Sequence, residues 1–370
     1  MKIRIYDNFS EELNFYWKSL ESASLHYVFQ SHEWLSHWWN AIGKFESNMT
    51  LVIVVIFDGN LQPRLLFPLV LRKKINVLIL EFIGGSQTDY QGPIVHREWI
   101  KDLTKIREAW NYTLQKLPQY DVRHFMKIPE KIEGLCNPFL SIWDTKFLLN
   151  SYSAALPSNF VTFEKRLSTK LKADTRRQRK RLSGYGEIKF SVIQDNDLWM
   201  PAMDAMIAQK RDRYLSTGVL DMLKHTSICT FYRDSRLQLS NKVIPHLSTL
   251  TLNNEIIATH WGVIYQNRFY FLMPTYLSGR WSSYSPGRIL LEELIKWCIN
   301  YKINIFDFTI GGEDYKKDWC DSESNLFETI EAVRFKGYFY FFYIHLRRCL
   351  RSNKFLWEAV KKINRFNYVR

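Results

Sequence analysis

Three stretches in the second half of the chain, 246–252, 255–265 and 268–277, read as strands, separated by the two-residue turns Asn253-Asn254 and Gln266-Asn267. Asparagine tolerates positive φ and closes tight hairpins, so the pattern predicts an antiparallel meander. After it, Leu290, Leu291, Leu294, Ile295 and Cys298 recur at helical spacing, with Glu292, Glu293 and Lys296 on the other side. That is an amphipathic helix with its stripe on a sheet. Ser285 and Pro286 open it: serine can cap, and proline at the first helical position loses no needed NH. A strand over 304–310 follows and runs into Gly311-Gly312-Glu313-Asp314-Tyr315-Lys316. Two helices are predicted upstream, at 163–184 and at 198–216, the second stopped by Gly218.

The first half repeats this order faintly. A buried strand at 51–57, the turn Asp58-Gly59-Asn60 and a returning strand at 64–71 lie between helices near 33–42 and 101–116. Pro157-Ser158-Asn159 breaks the pattern, and the chain then turns strongly basic. At 370 residues the chain exceeds one ordinary core. The expected division is 1–157, 158–335, and a basic amphipathic helical tail, 336–370.

Composition narrows the class. Hydrophobic residues at 46% and aromatics at 16% exclude a disordered chain. Fifty-one Lys and Arg against 37 carboxylates give +14, which favours an anionic partner: nucleic acid, anionic lipid or a nucleotide-bearing substrate. Cys136, Cys229, Cys298, Cys320 and Cys349 are scattered without a Cys-x-x-Cys pair, so a reducing cytoplasm and no metal site are expected. The longest apolar stretches, 51–57 and 338–346, are too short to span a membrane.

The run Tyr284-Ser285-Pro286-Gly287-Arg288-Ile289-Leu290-Leu291, then Ile305-Phe306-Asp307-Phe308, Gly311-Gly312-Glu313 and Tyr315-Lys316, resembles the acetyltransferases of bacterial polysaccharide operons. These are the CelD/BcsL type, within the GNAT superfamily and close to the Fem aminoacyltransferases. Phe29-Gln30-Ser31-His32-Glu33-Trp34, the stretch 84–95 with Asp89-Tyr90, and the Arg-rich 170–182 agree with it. The resemblance implies an α/β, GNAT-like acyl-CoA N-acyltransferase fold in two tandem GNAT-like domains with mixed sheets. It implies acetyl-CoA or another acyl-CoA as co-substrate, held by the second domain. In such enzymes the last meander strand and the strand after the helix splay apart, which would make 273–276 and 307–310 the walls of a slot.

The candidate residues follow. A helix entered through Ser285, Pro286 and Gly287 presents free NH groups and a positive dipole end to a phosphate, with Arg288 beside them and Tyr276 at the strand end. A plain helix cap explains the same residues. Glu313 is the first candidate base and Asp307 the second, although Asp307 between two phenylalanines also suits a structural role. Tyr315 could protonate a leaving thiolate, and Lys316 could hold a phosphate of cofactor or substrate. His260, mid-strand between Ala258 and Gly262, is either a near-neutral acid–base group or a buried core histidine. The family's acidic residue after the tyrosine at the hairpin end is replaced here by Leu277, following Tyr276. Arg176 and Arg177, in the basic helix, could face the diphosphate of a nucleotide- or lipid-linked sugar, or water alone.

Ten Lys and Arg from Arg334 onward face a single carboxylate, Glu358, among many apolar residues. This tail either lies on an anionic membrane or docks on the core. The expected partner is a sugar or polysaccharide precursor, with the protein cytoplasmic or peripheral on the inner membrane surface. No DNA is expected, and tRNA enters only if the chain is a Fem-type transferase using aminoacyl-tRNA. A catalytically inactive GNAT-fold binder is the third reading.

Overall fold

The computed structural model of the protein describes residues 1–239 and 242–352; the remaining tail residues, including Lys354, Lys361, Lys362 and Arg365, lie outside the described residues. The chain forms two compact units. Unit 1 takes Met1–His26, Glu46–Leu148 and the chain from Phe327, and unit 2 takes Tyr27–Phe45 and Leu149–Leu326.

In unit 2 the strands Ile188–Val192, Ile244–Leu252, Glu255–Tyr265 and Arg268–Tyr276 run antiparallel in that order. Asn253, Asn254, Gln266 and Asn267 have φ of 47°, 69°, 48° and 58°, the left-handed values that tight hairpin turns require. The helix Pro286–Asn300 then carries the chain to the strand Ile305–Ile310, which joins Arg268–Tyr276 in parallel. Its buried stripe, Ile289, Leu290, Leu294, Ile295 and Cys298, shares one core with Phe269, Phe271, Phe306 and Phe308. Burying each such Leu or Ile side chain stabilises the fold by about 1.5–3 kcal/mol.

The opposite face of the sheet carries Trp261, packed on Trp34 and Phe231, and the helix Asn196–Thr217, which ends in left-handed Gly218. The helix His32–Ala41, which sequence order alone puts with the first-half hairpin, belongs to unit 2. There His37 Nε2 meets the Phe231 carbonyl at 2.7 Å, and the Phe29 ring stands 5.4 Å from Tyr270. The expected single helix over 163–184 is two, Phe160–Glu164 and Thr169–Ser183. Ser168 interrupts it, its Oγ accepting the Leu171 NH at 3.1 Å as a fresh N-cap.

Unit 1 begins with antiparallel strands Lys2–Tyr6, Met49–Phe57, Pro63–Lys74 and Val77–Phe82. The helix Leu103–Lys116 follows, then the strand Val122–Pro129, parallel to Val77–Phe82. Phe67, Trp110, Phe125, Phe139 and Trp143 fill its core. The strand Ser322–Ala332 leads into a final helix, Phe335–Ser352.

Candidate active site

The parallel strands of unit 2 pair at Arg268↔Ile305, Phe269↔Phe306 and Tyr270↔Asp307, and the register ends there. Each strand carries a bulge just beyond. Gly262 and Trp261 face Phe271 and Met273, leaving Leu272 over; Ser153 and Tyr152 face Asp307 and Thr309, leaving Phe308 over. A bulge bends its strand and increases the local twist, and beyond Tyr270 and Asp307 the two edges no longer pair. Residues 271–276 and 308–310 become the walls of a slot, with the Phe271 and Phe308 rings 5.5 Å apart at its base.

Asp307 maintains this opening. Its Oδ1 accepts the Thr309 NH at 2.8 Å, and its Oδ2 takes Arg268 Nη1 at 2.9 Å. Thr309 is thereby held at φ 55°, a left-handed backbone that a β-branched residue adopts only under strain of about 1–3 kcal/mol. At 1% exposure, Asp307 is a structural carboxylate rather than a base within reach of an acceptor.

The mouth is built from three elements. Pro286 stands at the first position of the 286–300 helix, and the next NH, that of Gly287, has no carbonyl behind it to bond. Ser285 is left-handed (φ 53°) and makes no side-chain cap, which corrects the expectation that its hydroxyl closes this end. A Cβ on Gly287 would come 3.3 Å from Tyr276 Cδ1, so the glycine keeps this helix end open beside the tyrosine ring. The 196–217 helix contributes Arg213, its guanidinium 5.0 Å from the Tyr276 ring centre, and Lys210, whose Nζ lies 3.4 Å from the Pro274 carbonyl. Burial, and then the neighbouring Arg213 charge, lowers the Lys210 ammonium to about 8.

The third element follows the slot wall. Lys316 is buried and donates to the Ile310 carbonyl at 2.6 Å while its Nζ stands 3.1 Å from Glu313 Oε2. Its ammonium is turned inward, capping the strand and holding the more exposed Glu313 carboxylate at the mouth. Gly311 (φ 133°) makes this possible, because a Cβ there would overlap Glu313 Oε2 and lie 2.7 Å from Lys316 Nζ. Burial, and secondly the Glu313 charge, raises the Tyr315 phenol, which stays protonated.

Residues 169–317 match the family described as an acetyltransferase (GNAT) domain. The protein whose structure is titled FemX is 10% identical, with a TM-score of 0.59 over 90% of this chain and 98% of its own. A conserved protein of unknown function from Bacteroides thetaiotaomicron VPI-5482 is 12% identical, with a TM-score of 0.54 over 88% of this chain and 99% of its own. A tandem GNAT protein from the clavulanic acid biosynthesis pathway is 6% identical, with a TM-score of 0.50 over 90% of this chain and 98% of its own. No curated protein matches in sequence. The fold is GNAT-like. Identities this low speak for the fold alone, and they agree with the mixed sheets and the two similar units.

Within this GNAT-like frame, Glu313, Tyr315, Lys316, Tyr276 and Gly287, with Ser285 and Pro286 just before it, come together at the slot; His260, Arg288, Arg176 and Arg177 do not. His260 is fully buried, its ring stacked 4.4 Å from Phe271. Burial foremost, then the nearby His246 and Lys210 charges, holds it well below the ordinary imidazole value. It is a neutral core residue. Arg288 is paired with Asp174 and so turns toward the basic helix. Arg176 pairs with Glu164 at 2.8 Å and Arg177 with Asp174, both well exposed. Sequence reading missed Lys210 and Arg213. Lys210 did carry a signal: it continues the buried series Met203, Met206 and Ile207 at helical spacing, where a lysine is out of place.

Proposed function

We propose that the chain is an acyltransferase that moves an acetyl or similar acyl group from coenzyme A to an amine or hydroxyl of a sugar or polysaccharide precursor. The observation that carries the reading is the slot itself: a parallel strand pair that stops after three positions, beside a helix end kept free of side chain by Gly287. The Gly287 NH, the dipole of the 286–300 helix and Arg213 would hold the pyrophosphate, with Tyr276 against them. A thioester supplies the activated acyl group when bound. On the edges of 271–276 and 308–310 that no longer pair with each other, backbone groups other than the Pro274 and Ile310 carbonyls and the Thr309 NH would orient it.

Glu313 would take the proton of the attacking amine or hydroxyl, and Tyr315 would give its proton to the departing thiolate. Lys316, 3.1 Å from Glu313 Oε2, would hold that carboxylate in place. Direct transfer fits the cysteines. Cys298 is fully buried, and burial raises the Cys320 thiol far above the range of a reactive thiolate, so neither offers a nucleophile.

A second reading, an aminoacyl-tRNA-dependent transferase on cell-wall precursors, is favoured by the likeness to FemX and by the charge of +14. Incubation with acetyl-CoA and a panel of amino sugars separates the two. Release of free thiol that depends on the sugar supports the first reading; product formed only with charged tRNA overturns it in favour of the second.

A further inference from the structure

The final helix, Phe335–Ser352, has two apolar sides, and the fold covers one of them. On the covered side, Gly337 lies against the Asp121 carbonyl, where any Cβ would collide. Further along, Tyr340 packs with Val77, Ile79 and Val122 and bonds His124 Nδ1 at 3.0 Å. Near the far end Arg348 pairs with Glu328 at 2.5 Å. Positions 337, 340 and 348 share one face at helical spacing. This side is a fixed seat on unit 1.

The other side is open. Phe335, Phe339, Phe342 and Leu346 stand at i, i+4, i+7 and i+11, and they are 79%, 63%, 69% and 62% exposed. They form a straight stripe about 16 Å long. Tyr338 and Tyr343 edge it, both largely exposed, and Lys74 sits 5.1 Å from the Tyr343 ring centre. Lys336 and Arg347 flank the stripe, also exposed. Within 335–352 there is no carboxylate. Isolated exposed apolar side chains need no explanation, but a contiguous aromatic stripe on a seated helix does.

We infer that this stripe docks on an anionic lipid surface. Phenylalanine and leucine at the centre suit the acyl boundary, tyrosines at the edges suit the headgroup level, and Lys336, Arg347 and Lys74 would meet lipid phosphates. Each added cation near such a surface contributes about 1 kcal/mol at low salt. A second copy of the chain is a poor occupant, because its own row of cations would face this one. The inference does not depend on the acyl-transfer reading. It concerns unit 1, and a protein with an empty slot would still bind.

The test is sedimentation of the full chain with phosphatidylglycerol vesicles and with phosphatidylcholine vesicles, in low and in physiological salt. The expected result is binding to the first, weakened by salt, and loss of roughly tenfold or more in the double variant Phe339→Ser, Phe342→Ser. A Phe342→Trp chain provides a readout without loss of apolar surface: its emission in excess of the parent chain, which already carries 13 Trp, should move to the blue on anionic vesicles. Equal sedimentation with both lipids, an unchanged double variant or a static difference emission between the Phe342→Trp chain and the parent would overturn the inference. So would a vesicle-free dimer that dissociates in the double variant, since the stripe would then serve self-association.

Discussion

Both units set a strand in parallel beside the last strand of an antiparallel run, and both pair it briefly, at two positions in unit 1 and three in unit 2. Beyond those positions they diverge. In unit 1 the Phe82 and Phe125 rings close to 4.4 Å, and Trp143 packs 5.0 Å from Phe125. Further out, Lys127 donates to the Thr88 carbonyl at 2.7 Å and faces Asp89 at 3.8 Å. The following helix starts under Asp102, whose carboxylate accepts the Lys105 NH at 3.0 Å and so occupies the end where an anion would bind. The Gly84-Gly85 turn belongs to the short 3₁₀ segment Gly85–Gln87, far along the chain from that helix. Unit 2 has a glycine and no side-chain cap at the start of its helix. On the proposed reading, a similar order of elements would carry a site only where the strand edges stop pairing and the helix end is left bare.

The sharpest way to break this comparison is at the base. Replacing Glu313 by Gln should lower kcat by about 10²–10⁴-fold with little change in KM for the acyl donor, whereas the same change at Asp89 in unit 1 should leave kcat alone. Steady-state kinetics with a competent acceptor decides it. Asp307→Ala is expected to cost about 3–5 kcal/mol in denaturant unfolding, because it leaves the largely buried Arg268 guanidinium without its carboxylate and frees Thr309. An effect under 1 kcal/mol would contradict the structural role given to Asp307.

Smaller effects sharpen the contrast between the two lysines. If the Lys210 ammonium draws an anionic acceptor to the mouth, acceptor affinity should fall as pH rises through about 8, roughly tenfold in all, and Lys210→Met should flatten the profile. Lys127 in unit 1 is held by burial below the ordinary lysine value, and on the proposed reading it would take no part in binding. Its folded form loses the proton before the unfolded chain does. The unfolded state therefore binds more protons in the alkaline window below the ordinary lysine pKa, and stability contributed at this site rises with pH there. Lys127→Met should remove that rise, change stability by only about 1 kcal/mol at neutral pH and leave activity untouched.

Local chemistry made much of this legible in the sequence. The hairpin turns could be read because two adjacent residues with positive φ restrict the choice to asparagine-like residues. The 286–300 helix showed in its stripe and its Pro286 start. What stayed hidden depended on contacts distant in sequence. Trp34 meets Phe231 and Trp261 only once folded, so nothing local assigned 27–45 to unit 2. The strand Ser322–Ala332 begins Ser-Glu-Ser-Asn and lacks a strong apolar alternation. Asp307 stood open between base and scaffold because both roles suit a carboxylate at a strand end. The geometry of Thr309 and Arg268 separates them, and neither contact has a sequence signature.

The most direct test of the central claim is calorimetric titration of acetyl-CoA into the parent chain, a Gly287→Trp variant and a Leu103→Trp variant. The last places the same bulk at the exposed first turn of the unit 1 helix. One saturable site, abolished by Gly287→Trp and retained in Leu103→Trp, is the predicted outcome. Absence of binding to the parent, or binding that survives Gly287→Trp and fails in Leu103→Trp, would contradict it.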